Sequence, residues 1–173
     1  VELVLRPYLV ASQTTPIIVL APLFLVWFGF GILSKVVVSF LIAFFPIVID
    51  TVVGMRSVEP EMLHLARSLG ARPLQVFAKF RFPKALPNIF GGLKVGITLA
   101  VVGAIVGEFI GANAGLGYLQ LQANSNLDTT LLFSTIVVLS VMGVALFAVI
   151  SALERVVIRW RPPEEVEAAH ATM

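Results

Sequence analysis

The sequence predicts an all-α integral membrane protein, a helical bundle with about four membrane-crossing helices, and three observations predict it. The 173 residues are 58% hydrophobic and only 13% charged, about half the ~25% charge of an ordinary soluble domain, and the mean hydropathy is +0.99. The apolar residues gather into long runs instead of short segments that alternate with polar faces. The basic residues fall between those runs, as they do in chains whose orientation in a bilayer is set by Lys and Arg.

A crossing helix needs roughly 20 apolar residues for about 30 Å of hydrocarbon. The first segment that qualifies runs from about Pro16 to Leu33, with Pro22 inside it and Trp27 and Phe28 towards its far end. The second runs from about Val36 to Met55, with Pro46 inside and Asp50 near its end. Internal prolines are tolerated in such helices, so Pro22 and Pro46 predict kinks. The third runs from about Phe90 to Ile110 and carries Gly91, Gly92, Gly96, Ala100, Gly103, Ala104 and Gly107, a composition that lets helix backbones approach closely. The fourth runs from about Thr130 to Leu153.

Orientation follows from the charges. Arg56, Arg67, Arg72, Lys79, Arg81, Lys84 and Lys94 are assigned to the stretch between the second and third spans, while Ala112 to Thr129 holds no Lys or Arg; the first stretch is cytoplasmic and the second external. Arg155, Arg159 and Arg161 after the fourth span, and Arg6 before the first, agree with that topology. Lys35 is the exception, in the tight external turn between the first two spans, where it can snorkel to the interface. The external segment contains Leu116, Tyr118, Leu119 and Leu121, which reads as a short interfacial or re-entrant helix. The chain opens on Val1 with no initiator Met or signal-type leader, and is expected to be part of a longer protein. A membrane-spanning domain over 1–161 and a short cytoplasmic tail over 162–173 complete the organisation.

The cytoplasmic stretch 57–87 is far longer than the 2 to 8 residues that usually join bundle helices. Pro60 suits the first turn of a helix, and Met62, Leu65, Ala66 and Leu69 then recur on one helical face until Gly70 stops it. Pro73 starts a second short helix with Leu74, Phe77 and Ala78 on one side, broken by Pro83 and Pro87. The expected product is a helix, turn, helix element whose apolar faces seat it on the membrane helices while a knob projects into the cytoplasm.

These residues carry a resemblance. Ala66-Arg67-Ser68-Leu69-Gly70, followed after nine residues by Phe80-Arg81-Phe82-Pro83, resembles the cytoplasmic signature loop of ABC-importer permeases, written Glu-Ala-Ala, three residues, Gly, nine residues, Ile, any residue, Leu, Pro. His64 and Leu65 stand where that pattern has Glu and the first Ala, and Phe80 and Phe82 where it has Ile and Leu, replacements expected to stay buried. Pro22-Leu23 with Trp27-Phe28-Gly29, then Pro87-Asn88-Ile89-Phe90-Gly91-Gly92-Leu93, then Gly107-Glu108, Gly111-Ala112-Asn113 and Gly115-Leu116-Gly117-Tyr118 extend the likeness from about Arg6 to Trp160. Together they resemble the nitrate, taurine and alkanesulfonate permease family, which includes members for bicarbonate, thiamine-precursor pyrimidines and riboflavin.

The resemblance implies a MetI-like permease fold in the bacterial cytoplasmic (inner) membrane, with about two further spans at the N-terminus. It implies a cytoplasmic ABC ATPase that binds the projecting helix, a second permease copy, and an external solute-binding protein. ATP and Mg would then sit on the ATPase, and no cofactor on this chain. The coupling residues it implies are Glu61, His64, Leu65, Ala66, Arg67, Ser68, Leu69, Gly70, Phe80, Phe82 and Pro83, with Leu65, Ala66, Leu69 and Gly70 as the docking surface.

On the external side Glu108, Asn113 and Tyr118 are candidates for the pathway or an external gate. An ionisable residue in a span is a functional candidate, although Glu108 also reads as a helix-end carboxylate in contact with water. His64 and His170 are isolated, without a ligand set for metal. Absence of cysteine removes thiolate chemistry, and no Gly-rich loop ends in the Lys-Ser or Lys-Thr of a phosphate cradle. A net charge of +2 is small for a nucleic-acid partner, despite a pI near 9.3. The competing readings are an ion-coupled secondary transporter or channel without an ATPase, which predicts ionisable relays at mid-membrane, and an intramembrane enzyme, which needs nucleophile, base or metal groups within the spans. The spans are nearly free of both.

Overall fold

A computed structural model describes residues 17–159; Arg6, Pro16, Arg161 and the tail from Pro162 lie outside them. Every regular element among the described residues is helical. A 3₁₀ turn (Ile17–Leu20) leads into α1 (Ala21–Phe28), followed by α2 (Ile32–Arg56), α3 (Pro60–Ser68), α4 (Pro73–Val76), a π-helical turn (Phe77–Arg81), α5 (Phe82–Gly111), α6 (Leu116–Ser125) and α7 (Thr129–Val157).

Three helical stretches among the described residues are long and apolar enough to cross a membrane: Ile32–Arg56, Pro73–Gly111 and Thr129–Val157. The second, third and fourth expected spans lie within them. The first expected span does not continue to Leu33. Its described part is the 3₁₀ turn and α1, about 20 Å of helix, which ends where Gly29 takes φ +76°. Pro22 lies in the first turn of α1, where a missing N–H costs nothing, and is not the mid-helix kink the sequence suggested. Lys35, expected in the turn, is in the first turn of α2.

α2 and α5 form an antiparallel pair on which the rest is built. Gly92, Gly96, Gly103 and Gly107 recur at 4, 7 and 4 residues on α5, one stripe of a helix; all four face α2, the first three so closely that a Cβ would force a shift. A Cβ on Gly103 would stand 2.8 Å from Cα of Ser39, one on Gly96 2.7 Å from Cδ1 of Ile47, and one on Gly92 2.9 Å from Cβ of Asp50. α2 returns the favour near its cytoplasmic end, where a Cβ on Gly54 would meet Cβ of Asn88 at 2.7 Å. Close backbone approach replaces the hydrophobic driving force that is absent between helices in lipid.

α1 packs over the external end of this pair, with Ala21 and Leu25 buried and a side chain of Leu25 against Gly111. α7 lies against α5 and α6, but Val137, Val138, Val141, Val144 and Phe147 on it stay exposed, a face for lipid or another chain. Its C-terminal end is fixed at the basic end of the pair by Lys94 of α5 and Glu154, whose Nζ and Oε2 are 2.5 Å apart. Lys94 is thus inside α5 and ion-paired, and does not belong to the loop to which the sequence reading assigned it.

Pro83 and Pro87 do not break the chain before the third span. Pro83 sits in the first turn of α5 and Pro87 inside it, and α4, the π turn and α5 run on without interruption. The π turn is the reason. In an α-helix the ring of Pro83 would press on the carbonyl of Lys79; here the turn is widened, with Phe82 N–H donating to the carbonyl of Phe77 five residues back.

Candidate functional site

Two ends of the bundle carry the sequence-predicted residues. At the basic end, Pro60 opens α3 and Glu61 occupies its first turn, where a carboxylate complements the helix dipole. The helix stops at Gly70, φ +76°, with Gly70 N–H donating to the carbonyl of Arg67 and Ala71 N–H to that of Ala66. This is a Schellman closure, which needs a left-handed residue at that point. The expected helix and its stop are both present.

The expected apolar face is present too, but it points the other way. Leu65 is 60% and Leu69 78% exposed, Met62 is exposed, and across the turn Leu74 is 76% exposed. Ala66 is only 4% exposed; it seats the helix and is not part of the outer surface, contrary to its expected place in the docking face. Glu61, His64, Arg67, Ser68 and Gly70 are exposed, with the hydroxyl of Ser68 donating to the Leu65 carbonyl at 2.9 Å. Phe80 and Pro83 are half-buried, whereas Phe82 is exposed and stacks beside Phe77 with ring centroids 6.3 Å apart, so only one of the two aromatic replacements is covered. A cleft of about 290 Å³ opens between α3 and the base of α5, lined by Val58, Glu59, Met62, Lys79, Phe80, Pro83 and Lys84.

At the opposite end the expected short helix is α6. The structure places Asn113 exposed in the link between α5 and α6, and Tyr118 half-buried in the first turn of α6. Glu108 is half-buried and not simply a carboxylate in water: its Oε2 accepts the N–H of Gly117, at 2.6 Å. Gly117 is at the start of α6, where free N–H groups and the helix dipole favour an anion. Both neighbouring glycines leave the space the carboxyl occupies, since a Cβ on Gly115 would overlap the Glu108 carboxyl and one on Gly117 would be 3.0 Å from Cβ and Oε2 of Glu108.

The sequence pattern of the family described as binding-protein-dependent transport system inner membrane component matches residues 1–161. The chain belongs to that family. As an inner-membrane component it is a multi-pass membrane protein, related to permeases of ABC importers of the sulfonate and taurine kind. It is 43% identical over 161 residues to the formylaminopyrimidine transport permease protein ThiX of Halalkalibacterium halodurans, covering 93% of this chain and 64% of the relative. It is 42% identical to the riboflavin transport system permease protein RibX of Chloroflexus aurantiacus, covering 92% and 59%, and 31% identical to the taurine transport system permease protein TauC of Escherichia coli, covering 91% and 57%. The chain therefore spans about three fifths of the length of these curated relatives.

Two arrangements in this inner-membrane component escaped the sequence reading. The Lys94–Glu154 pair joins two spans, and its signal was available: one cation in one span and one anion in another, at matching depth from the basic end. The hosting of Glu108 by Gly115 and Gly117 was not legible, because those glycines read equally well as ordinary loop residues.

Proposed function

We propose that this chain is the main part of the membrane-spanning permease subunit of an ATP-driven ABC importer, with the permease domain over 1–161 and a cytoplasmic tail over 162–173. It performs no chemistry itself; ATP and Mg bind a separate cytoplasmic ATPase, a second permease copy completes the pathway, and an external binding protein delivers the solute. The observation that carries this reading is the outward apolar face of the cytoplasmic loop. Leu65, Leu69 and Leu74 lie on the basic, cytoplasmic side and are largely exposed, and exposed leucines grouped there mark a protein partner. The family supplies the kind of partner.

Docking of an ATPase on Leu65, Leu69 and Gly70, flanked by Glu61, His64, Arg67 and Ser68, gives its closure a handle on the spans, because α3 is held through Ala66 and the second limb of the loop is continuous with α5. Phe80, Phe82 and Pro83 sit at that junction. Asn113 and Tyr118 are assigned to the external mouth. For the solute, ThiX and RibX are named for a formylaminopyrimidine and riboflavin, and their identities of 43% and 42% exceed the 31% to TauC; this favours a heteroaromatic small molecule over a sulfonate.

The test is affinity purification of the full-length protein in mild detergent from its own cells, with mass spectrometry of what accompanies it. An ATPase at near-equal stoichiometry is expected. A reproducibly solitary protein would remove the importer reading. Uptake of a labelled pyrimidine or flavin into cells with and without the permease then separates the heteroaromatic class from taurine.

A further inference from the structure

α6 lies between two spans and is tied to each by a short link. On the α7 side the link is closed within the chain: Asp128 N–H donates to the carbonyl of Ala123 at 2.9 Å, and the Asp128 carboxylate caps α7 by accepting Leu131 N–H at 3.0 Å. On the α5 side the link is Ala112–Gly115, extended at Ala112 and with φ +133° at Gly115. What bridges that side is the side chain of Glu108, reaching from the last turn of α5 to Gly117 N–H. Two glycines keep the space open for it. A charge-assisted hydrogen bond of 2.6 Å at a helix start is a strong and directional contact.

We infer that Glu108 is a positioning residue that latches the external helix α6 to the external end of α5, so that α6 is carried by α5. The latch makes α5, the link and α6 one body. Since α5 is continuous with the cytoplasmic limb that begins at Pro73, movement imposed at the loop reaches α6 through one helix and one side chain. Glu108 acts through the position of α6, and does not line the solute path. The proposal about coupling rests on the importer reading; the latch itself does not.

The 173 residues hold no cysteine, so with any cysteine elsewhere in the full-length permease replaced by serine, a single introduced cysteine gives a direct test in nanodiscs. Ala123 on α6 is fully buried, so an Ala123→Cys reporter should react slowly with a membrane-impermeant maleimide. Glu108→Ala is expected to raise the labelling rate at least about tenfold. Gly117→Ala, whose methyl would meet both the Glu108 side chain and the Ile105 carbonyl at 3.0 Å, should do the same with Glu108 intact. Glu108→Gln keeps an acceptor oxygen and should stay within about threefold of the parent. Unchanged labelling in both Glu108→Ala and Glu108→Leu, which fills the space without an acceptor oxygen, would overturn the latch, and if Glu108→Ala fails to assemble, Glu108→Leu decides. In the assembled transporter the unlatched variants should keep basal ATP hydrolysis and lose most of its stimulation by solute-loaded binding protein, with Glu108→Gln retaining it. Faster labelling with stimulation intact would overturn the coupling role and leave only a packing contact. A permease with no ATPase partner would fail the importer reading while the labelling result still stood.

Discussion

Lys94 and Glu154 hold α5 and α7 together from inside the bundle: their side chains are 15% and 17% exposed, and the Lys94 ammonium also lies 5.6 Å from the ring centroid of Phe147. A pair this covered has mixed consequences. Its net worth against a hydrophobic replacement is small, but removal of one member strands the other charge.

Glu154→Gln or Lys94→Met alone should therefore cost on the order of 3 kcal/mol, seen as a fall in the thermal midpoint of the detergent-solubilised protein by fluorescence-detected size exclusion. The double change to Gln and Met should recover most of that loss. Equal loss in the single and double variants would mean that the ion pair is not what joins the two helices.

The glycine stripe makes an ordered prediction. Gly103→Ala places a methyl against the backbone of Ser39 and should destabilise by about 1–3 kcal/mol, the cost of overpacking a close seam. Gly91→Ala, on the same helix but facing open space, should be neutral or stabilise by up to about 1 kcal/mol, because alanine favours helix. The same thermal assay reads both.

For the cytoplasmic loop, Leu65→Asp and Leu69→Asp should abolish co-purification of the ATPase, by at least about tenfold, while membrane insertion is unchanged. Ala66→Glu acts differently. Its side chain would enter the seat of α3, so it should lower stability as well as partner binding. Retention of the ATPase in both leucine variants would detach the apolar face from docking.

Gly70 separates conformational from steric cost. Nothing lies within 4 Å of a Cβ built there, yet φ is +76°. Gly70→Val should cost about 1–2 kcal/mol from the left-handed backbone alone, and Gly70→Asn clearly less, since Asn tolerates that region. Thermal midpoints of the two variants, compared with the parent, measure the difference.

Much of this was legible because membrane residues obey few and strict rules. Length and hydropathy located α2, α5 and α7. The Pro60 start and Gly70 stop delimited α3 to within a residue, since both act through the backbone. Three of the readings that went astray show how context decides. Periodicity grouped Ala66 with Leu65 and Leu69, but cannot say which way a face turns; of the three, Ala66 is the one that is covered. Pro83 read as a breaker because the rule assumes an α-turn, and the π turn before it removes the clash; Pro87 is held inside α5. Gly29, in an apolar run, hid the left-handed residue that ends α1 four residues before Leu33.

The π turn also sets an angular phase. A π-helical turn holds one residue more than the α-turn it replaces, and each α-helical residue advances the chain by about 100°. Deletion of Ala78 would let Phe77–Arg81 relax towards plain α-helix and rotate Pro73–Val76 by roughly that angle about the axis of α5, swinging Leu74 to another side. The orientation of this cytoplasmic limb is thus stored in a residue count instead of in a contact, and an insertion or deletion of one between Phe77 and Arg81 would re-aim the limb without touching the membrane seam.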